Sequence, residues 1–502
     1  MAVPAAPLVE RVFVLMLENR SFDHLLGFSG ITGQDAETGL PTAINGLSGS
    51  ESNLYNGVRY TVTQPADWTM PLDPGHEFTD VLVQLCGAGA VYTPGGSYPP
   101  VNNSGYVDDY VGSGGGSNPG EVMKCYSPAQ LPVLAGLARE FAVCDGWRVS
   151  MPGPTWPNRF FMMAASSGGL DHSPSIAQIA EWMTIDGFRF EHGSLFDALS
   201  AADRTWRIYY GDQGPLSGSF PIAAGLAGIS LWDPHPYSAF AADVGAASYP
   251  AQFTLIEPNY GDVARAYRGG QSQHPLDDVR SGETLIKSTY EALRNSPFWD
   301  TTLLIVTWDE HGGFYDHQGA VPGGAPSPGD KTVTPGDVNK YGFNFQQYGP
   351  RVPAVIVSPR IPQNVVDHRT YDHASIPATA EEIFGFPPLT ERDRRARDVT
   401  SLISLPEPRP TPAALPEPAA APSATPVLAQ VAGKAGDDGP VDDGNLPGFL
   451  HIAQRYDLAL SPPEQHPAII ARVAGITTRG QARQYLEDVA AKTAAARSAR
   501  AQ

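Results

Sequence analysis

The chain alternates short, continuous apolar runs with segments whose apolar residues recur at helical spacing. Val12–Leu17, Trp206–Tyr210, Phe253–Ile256, Leu303–Trp308 and Ala354–Val357 have strand length and are rich in β-branched and aromatic residues. Their apolar residues are continuous where a half-exposed strand would alternate, and runs of that kind are buried on both faces, as in a parallel sheet. Between them, Gln130–Phe141, Ser194–Ala202, Gly282–Asn295 and Ser375–Phe384 read as helices. Strands separated by helices predict an α/β fold, a largely parallel central sheet with helices on both sides. The connections Gly112–Gly120 and Ala320–Gly342 are rich in Gly and Pro and long enough to form the rim of a site.

After about Leu405 the pattern changes to PEPRPTPAALPEPAAAPSATPVLAQ, a Pro/Ala-rich tract that supplies no core and is expected to be extended. Helical patterning returns in FLHIAQRYDLAL and GQARQYLEDVAAKTAAARSAR. The expected organisation is a main domain over residues 1–404, a linker over 405–444 and a small helical extension over 445–502, docked on the main domain or on another protomer.

Charge narrows the partners. Lys and Arg number 33 against 53 Asp and Glu, a net charge of −20, so the field repels phosphate backbones and argues against nucleic acid. The same field suits a divalent cation held by specific ligands. No apolar run reaches membrane-spanning length, and the start MAVPAAPLVE lacks the basic residues and long apolar centre of a signal peptide. As written the chain therefore reads as cytoplasmic, or as secreted or periplasmic if a leader has been removed. Cys86, Cys125 and Cys144 form no C-x-x-C pair, which leaves three packed thiols or one Cys86–Cys125 bridge.

Candidate chemistry sits where apolar runs end in polar clusters, the place where open α/β sheets bind ligands. Val12–Leu17 delivers Glu18 and Asn19, a carboxylate and an amide that make a hard-oxygen pair for a divalent metal. Asn19 could instead donate to an anionic substrate oxygen, or Asn19 or Ser21 could cap the helix that follows. In SMPGPTWPNRFF, Thr155 and Pro157 fit the first positions of a helix after a Gly-Pro turn. A hydroxyl there is a candidate nucleophile toward phosphate, or a plain N-cap. Leu303–Trp308 ends in Asp309, Glu310 and His311 before two glycines. Adjacent carboxylates repel unless a cation sits between them or each finds its own partners. His76, His235, His274 and His373 lie in loops bounded by Gly, Pro or acidic residues, with Asp277 and Asp278 beside His274; histidine there can donate protons or bind phosphate.

ENRSFDH, PGH, PGPTWPNR, HPLDDV, TWDEHGGFYDH and GPRVPAVIVSP, in that order, resemble the phosphoesterase family of bacterial and plant non-specific phospholipases C and a bacterial acid phosphatase. The resemblance covers roughly Arg11 to Asp398 and implies an alkaline-phosphatase-like α/β/α sandwich. It implies that Glu18, Asn19, Asp309 and Glu310 ligate one divalent metal (Ca, Mg or Mn), which the nucleophile Thr155 also touches. It further implies that His76 and His274 hold the phosphoryl group or protonate the leaving oxygen, with His235, Asn19 and Asp277 at the substrate, and that Arg351 is structural. The expected activity is phospholipase C-type cleavage of a glycerophospholipid through a phosphothreonine, with transient contact to a lipid surface. A phosphomonoesterase acting on small phosphate esters and a non-catalytic metal-binding module are the alternatives.

Overall fold

The computed structural model describes residues 8–182, 186–420, 436–442 and 444–501. Ten strands form one sheet: β1 (Arg11–Leu17), β2 (Thr32–Asp35), β3 (Pro41–Ala43), β4 (Ala142–Cys144), β5 (Trp206–Tyr210), β6 (Pro234–Pro236), β7 (Phe253–Glu257), β8 (Thr302–Trp308), β9 (Ala354–Val357) and β10 (Val365–Asp367). Across the sheet the order is β3, β2, β10, β4, β9, β8, β1, β7, β5, β6. Every pairing is parallel except those of β9 with both its neighbours and of β3 with β2. All five predicted strands are present; those missed in this sheet have three or four residues and, except for AVC, carry polar or proline positions that break an apolar run.

The continuous apolar runs occupy the middle of this sheet. Every residue of β7, β8 and β9 is buried, as is all of β1 after Arg11, so both faces are covered. Each fully buried Leu, Ile or Val contributes roughly 1.5–3 kcal/mol relative to exposure. The predicted helices appear with slightly shifted ends. In chain order with others used below, they are α1 (Phe22–Leu26), α2 (Phe78–Cys86), α3 (Pro132–Glu140), α4 (Thr155–Ala164), α5 (Leu195–Ala201), α6 (Val279–Arg294) and α7 (Ser375–Phe384). α3 packs on α6, while α4 packs on α5 and α7. The cap of α1 is Ser21, whose Oγ accepts the His24 N–H at 3.1 Å.

The described first part of the Pro/Ala tract, residues 406–420, forms no helix or strand and lies along α6. Tyr290 Oη donates to Pro412 O at 2.6 Å, Arg294 Nη2 to Thr411 O at 3.0 Å and Lys287 Nζ to Leu415 O at 2.8 Å. Residues 421–435 and 443 of the predicted linker lie outside the described residues. Beyond them α8 (Leu446–Ala459) and α10 (Arg479–Ala501) dock on the main domain of the same chain, and α9 (His466–Ala474) packs on α8. Gly448 makes the approach: a Cβ there would fall 2.0 Å from Trp156 Cζ2. Phe449 packs edge-on to Trp156 and against Tyr260, and Arg497 donates to the carbonyls of Leu231 and Pro234.

Of the two readings of the cysteines, the thiols prevail: all three are free, with Cys125 and Cys144 buried. Among the described residues no helix is long and apolar enough to cross a membrane.

Candidate active site

The register of two parallel strands builds the floor of the site. Leu17 of β1 pairs with Trp308 of β8, so the next residue on each strand, Glu18 and Asp309, leaves the sheet beside the other. Asn19 follows with φ of 57°, a left-handed conformation that Asn tolerates better than most side chains. Its N–H donates to Asp309 Oδ1 at 3.1 Å. Asn19 is thus part of the turn and Ser21 is the helix cap, which separates the two roles the sequence offered for this stretch.

The glycines after Glu310 and His311 are sterically required. Gly312 and Gly313 have φ of +67° and +71°, and a Cβ on them would lie 2.1 Å from Asn19 O and 2.6 Å from Gly75 O. The turn is thereby pressed against both neighbouring loops. Gln84 of α2 fixes the same contact, donating to Gly75 O at 2.6 Å while its Oε1 meets His311 Nε2 at 2.6 Å. His373 contributes from behind: its Nε2 bonds Asp309 O at 2.6 Å and its Nδ1 accepts from Trp147 Nε1 at 3.2 Å.

Electrostatically this floor lacks positive charge. Glu18, Asp309 and Glu310 are fully buried. Burial and then Asp309 push the Glu18 carboxyl well above the usual carboxylate range against the pull of Arg159. Burial pushes Asp309 up to about 6, with Glu310 adding to it and Arg159 opposing. Both carboxylate oxygens of Glu18, both amide atoms of Asn19 and Oε1 of Glu310 are buried without a hydrogen-bond partner of good geometry. Orphaned, buried hard oxygens at the ends of two adjacent strands fit the donor chemistry of a divalent cation.

Thr155 is the first residue of α4 and is fully buried. Arg159, four residues on and so on the same face, joins this helix to the floor: Nε donates to Asp309 Oδ2 at 2.9 Å and Nη2 to Leu17 O at 3.0 Å, with Glu257 Oε2 3.8 Å away. Arg159→Leu would leave buried carboxylates uncompensated. We expect it to cost about 3–5 kcal/mol, read as a lower urea midpoint with unchanged slope. Thr155 Oγ1 accepts a hydrogen bond at 3.1 Å from Nδ2 of Asn445, the residue that opens α8. The sequence treated that extension as an appendage; the structure has it reaching the candidate nucleophile.

Two histidines complete the cluster. Among the described residues, Asp73, His76 and His274 are the one group of acids and histidines whose ligand atoms lie within 4.8 Å of one another, close enough to hold a metal. Arg20 holds the His274 loop by donating to Gln273 O at 2.6 Å and His274 O at 3.2 Å, and Tyr267 stacks on the His274 ring with centroids 3.7 Å apart. The two imidazoles are driven apart. Burial opposes charge on His76, but Glu310, Asp73 and Glu77 outweigh it and raise its pKa to about 10. Burial, then His76 and Arg20, lower His274 well below its ordinary value. Nδ1 of His76 lies 3.0 Å from Pro74 O, which fixes Nδ1–H as a donor to that carbonyl.

Two expected participants are not gathered here. His235 lies on β6, the edge strand, paired with Tyr209. Two strands, β5 and β7, separate it from β1, and its charged neighbours are Arg207, Asp243, Arg497 and Asp233. A histidine between prolines looks the same on an edge strand as in a site loop. Asp277 faces its own loop, accepting from Gly270 N at 3.0 Å and Ser272 Oγ at 3.2 Å; burial pushes it up to about 8. Phe160, Phe161, Met162 and Met163 are all buried, where helical spacing alone would turn only two of the four to the core. Arg351 is a buried strut, its guanidinium bonding Asp23 Oδ1 at 2.8 Å and Asp316 Oδ1 at 2.9 Å.

The sequence profile of the Phosphoesterase family matches residues 9–387. The chain belongs to the phosphoesterase family. Among proteins similar to it, non-specific phospholipase C6 of Arabidopsis thaliana is 36% identical over 415 residues, 79% of this chain and 73% of that one. Phospholipase C B of Mycobacterium tuberculosis is 30% identical over 449 residues, 84% of this chain and 82% of that one. A solved protein in the alkaline phosphatase superfamily from Vibrio parahaemolyticus aligns over 54% of this chain and 64% of that one, with a TM-score of 0.31 and 16% identity. As a phosphoesterase-family member the chain is a phosphoric ester hydrolase.

Proposed function

We propose that the chain is a metal-dependent phosphodiesterase of phospholipase C type, with Thr155 as its nucleophile. The observation that carries this reading is the set of orphaned buried oxygens of Glu18, Asn19 and Glu310 where β1 and β8 end side by side, joined through Arg159 to a helix that begins with a buried threonine. A divalent cation held by Glu18, Asn19, Asp309 and Glu310 would supply the positive charge that lowers the Thr155 hydroxyl pKa and balances the phosphoryl oxygens.

Thr155 Oγ, its proton released to solvent, attacks phosphorus at the N-terminus of α4, where free N–H groups favour anions. The new Oγ–P bond forms as the P–O bond to glycerol breaks, and protonated His76 delivers a proton from Nε2 to the departing oxygen. Diacylglycerol leaves, and the phosphorylated headgroup stays esterified to Thr155. Water then attacks phosphorus, giving one proton back to His76 while the threonine oxygen regains the other, and the phosphorylated headgroup departs. Asn445 holds the Thr155 oxygen by its amide N–H throughout, and neutral His274, backed by Tyr267, donates an N–H to a phosphoryl oxygen.

Similarity to proteins named phospholipase C favours the diester over a monoester. Hydrolysis of p-nitrophenylphosphorylcholine and p-nitrophenyl phosphate, measured side by side, decides between them. The diester is expected to be preferred; activity confined to the monoester would make the chain a phosphatase.

A further inference from the structure

A second polar cavity, of about 540 Å³, opens where β4 and β10 end at Asp145 and His368. It lies at the carboxyl ends of those strands, separated from the β1 and β8 termini by β9. Thr42, Asn45, Arg148, Gln318, His368 and Thr370 are among its walls.

Arg148 singles it out. Its side chain is more than nine-tenths buried, at 7% exposure. Among the described residues it makes no hydrogen bond, ion pair or ring contact, whereas the other buried arginines, Arg20, Arg159, Arg351, Arg392 and Arg479, all have partners. The acids in its field, Asp316 and Asp23, are already paired with Arg351. Asp145 also reaches the cavity, but its carboxylate is engaged by the Asn45 N–H at 2.6 Å and by His368 Nδ1 at 2.8 Å. Burial and the neighbouring Arg351 lower Arg148 to about 10, which still leaves it charged at neutral pH. A buried charge without a counter-charge is strongly destabilising, and here the only vacancy for one is the cavity.

We propose that this cavity binds a phosphate group, with Arg148 as its fixed cation and the Thr370 hydroxyl and the Gln318 amide, one N–H of which meets His317 Nε2, as neutral donors. A guanidinium fork suits a tetrahedral oxyanion with two oxygens presented together. The choice of phosphate over another oxyanion rests on the reading of the chain as a phosphoric ester hydrolase, whose substrates and products all carry that group. The site is separate from the catalytic floor, shares no residue with it and needs no metal.

Titration calorimetry of the full chain in excess chelator, with inorganic phosphate in one arm and phosphocholine in the other, tests this apart from catalysis. Wild type is expected to bind one equivalent; Arg148→Met is expected to bind none, and Arg148→Lys at least about tenfold more weakly, having lost the fork. Equal affinity for the two ligands identifies the bare phosphate group as the determinant, and tighter phosphocholine binding identifies a lipid headgroup. In phosphate-free buffer Arg148→Met is expected to melt at or above the wild-type temperature, because it removes an uncompensated charge, and to lose the rise that phosphate gives wild type. With metal restored, its hydrolysis of p-nitrophenylphosphorylcholine should stay within about twofold of wild type. Wild type that binds neither ligand, Arg148→Met that binds like wild type, or Arg148→Met that fails to fold would each overturn the site, whatever the activity assay shows.

Discussion

Thr155→Ala is expected to lower kcat for the preferred ester by on the order of 10⁴-fold or more, the scale seen when a covalent nucleophile is removed. The hydroxyl is fully buried at the head of α4, and among the described residues its one hydrogen-bond partner is Asn445 Nδ2 at 3.1 Å. Losing it leaves that amide unpaired, which costs about 1–3 kcal/mol. A protein of this size tolerates such a loss, so the variant should fold while its turnover collapses. Thr155→Ser keeps the oxygen and should recover a measurable part of the rate. Steady-state kinetics paired with a thermal melt separates the two effects: a variant that melts near wild type yet hydrolyses nothing supports chemistry at Thr155, and one that stays active removes it from the mechanism.

Chelation is expected to be nearly as damaging. Without a cation, Glu18, Asp309 and Glu310 face one another with Arg159 as the nearby counter-charge, and the raised values of Glu18 and Asp309 report that strain. EDTA should reduce hydrolysis to background, and add-back of Ca²⁺, Mg²⁺ or Mn²⁺ should restore it for the ion that fits. A readout independent of turnover follows from linkage. Cation at about 100 times its Kd should stabilise the fold by about 2.7 kcal/mol. Ligands must be deprotonated to bind, so this gain should be small below the Asp309 value of about 6 and grow as pH rises through it. A melting temperature indifferent to divalent ions at every pH would argue against a cation on this carboxylate floor.

How far the sequence carried the site follows from what each residue depends on. Glu18, Asn19, Asp309 and Glu310 were legible because the apolar strand before each pair is itself the local signal, and parallel pairing of two such strands brings their ends together. Thr155 was legible because a Gly-Pro turn before Thr and Pro is helix-start chemistry. Arg159 stood in plain view, yet its role exists only through Asp309 and Glu257, which lie far along the chain, and no local pattern marks such a partner. Asn445 was further out of reach: it follows a tract with no periodicity, and its contact with Thr155 arises from the docking of α8 against Trp156. His235 lies on the edge strand, away from the floor, because strand order, which local sequence does not encode, decides where a histidine between prolines falls. The five strands that are continuous apolar runs were found; TGQD, PTA, AVC, PHP and VVD were not, being too short or too polar to declare a strand.

The central claim is that Thr155 carries the phosphoryl group between the two half-reactions. Acid quench of wild type during turnover of a phosphocholine diester, followed by peptide mass spectrometry, measures this directly. The account predicts a phosphocholine-sized mass increase on the peptide holding Thr155, absent from Thr155→Ala; a wild-type enzyme turning over with that peptide unmodified at every quench time would contradict it.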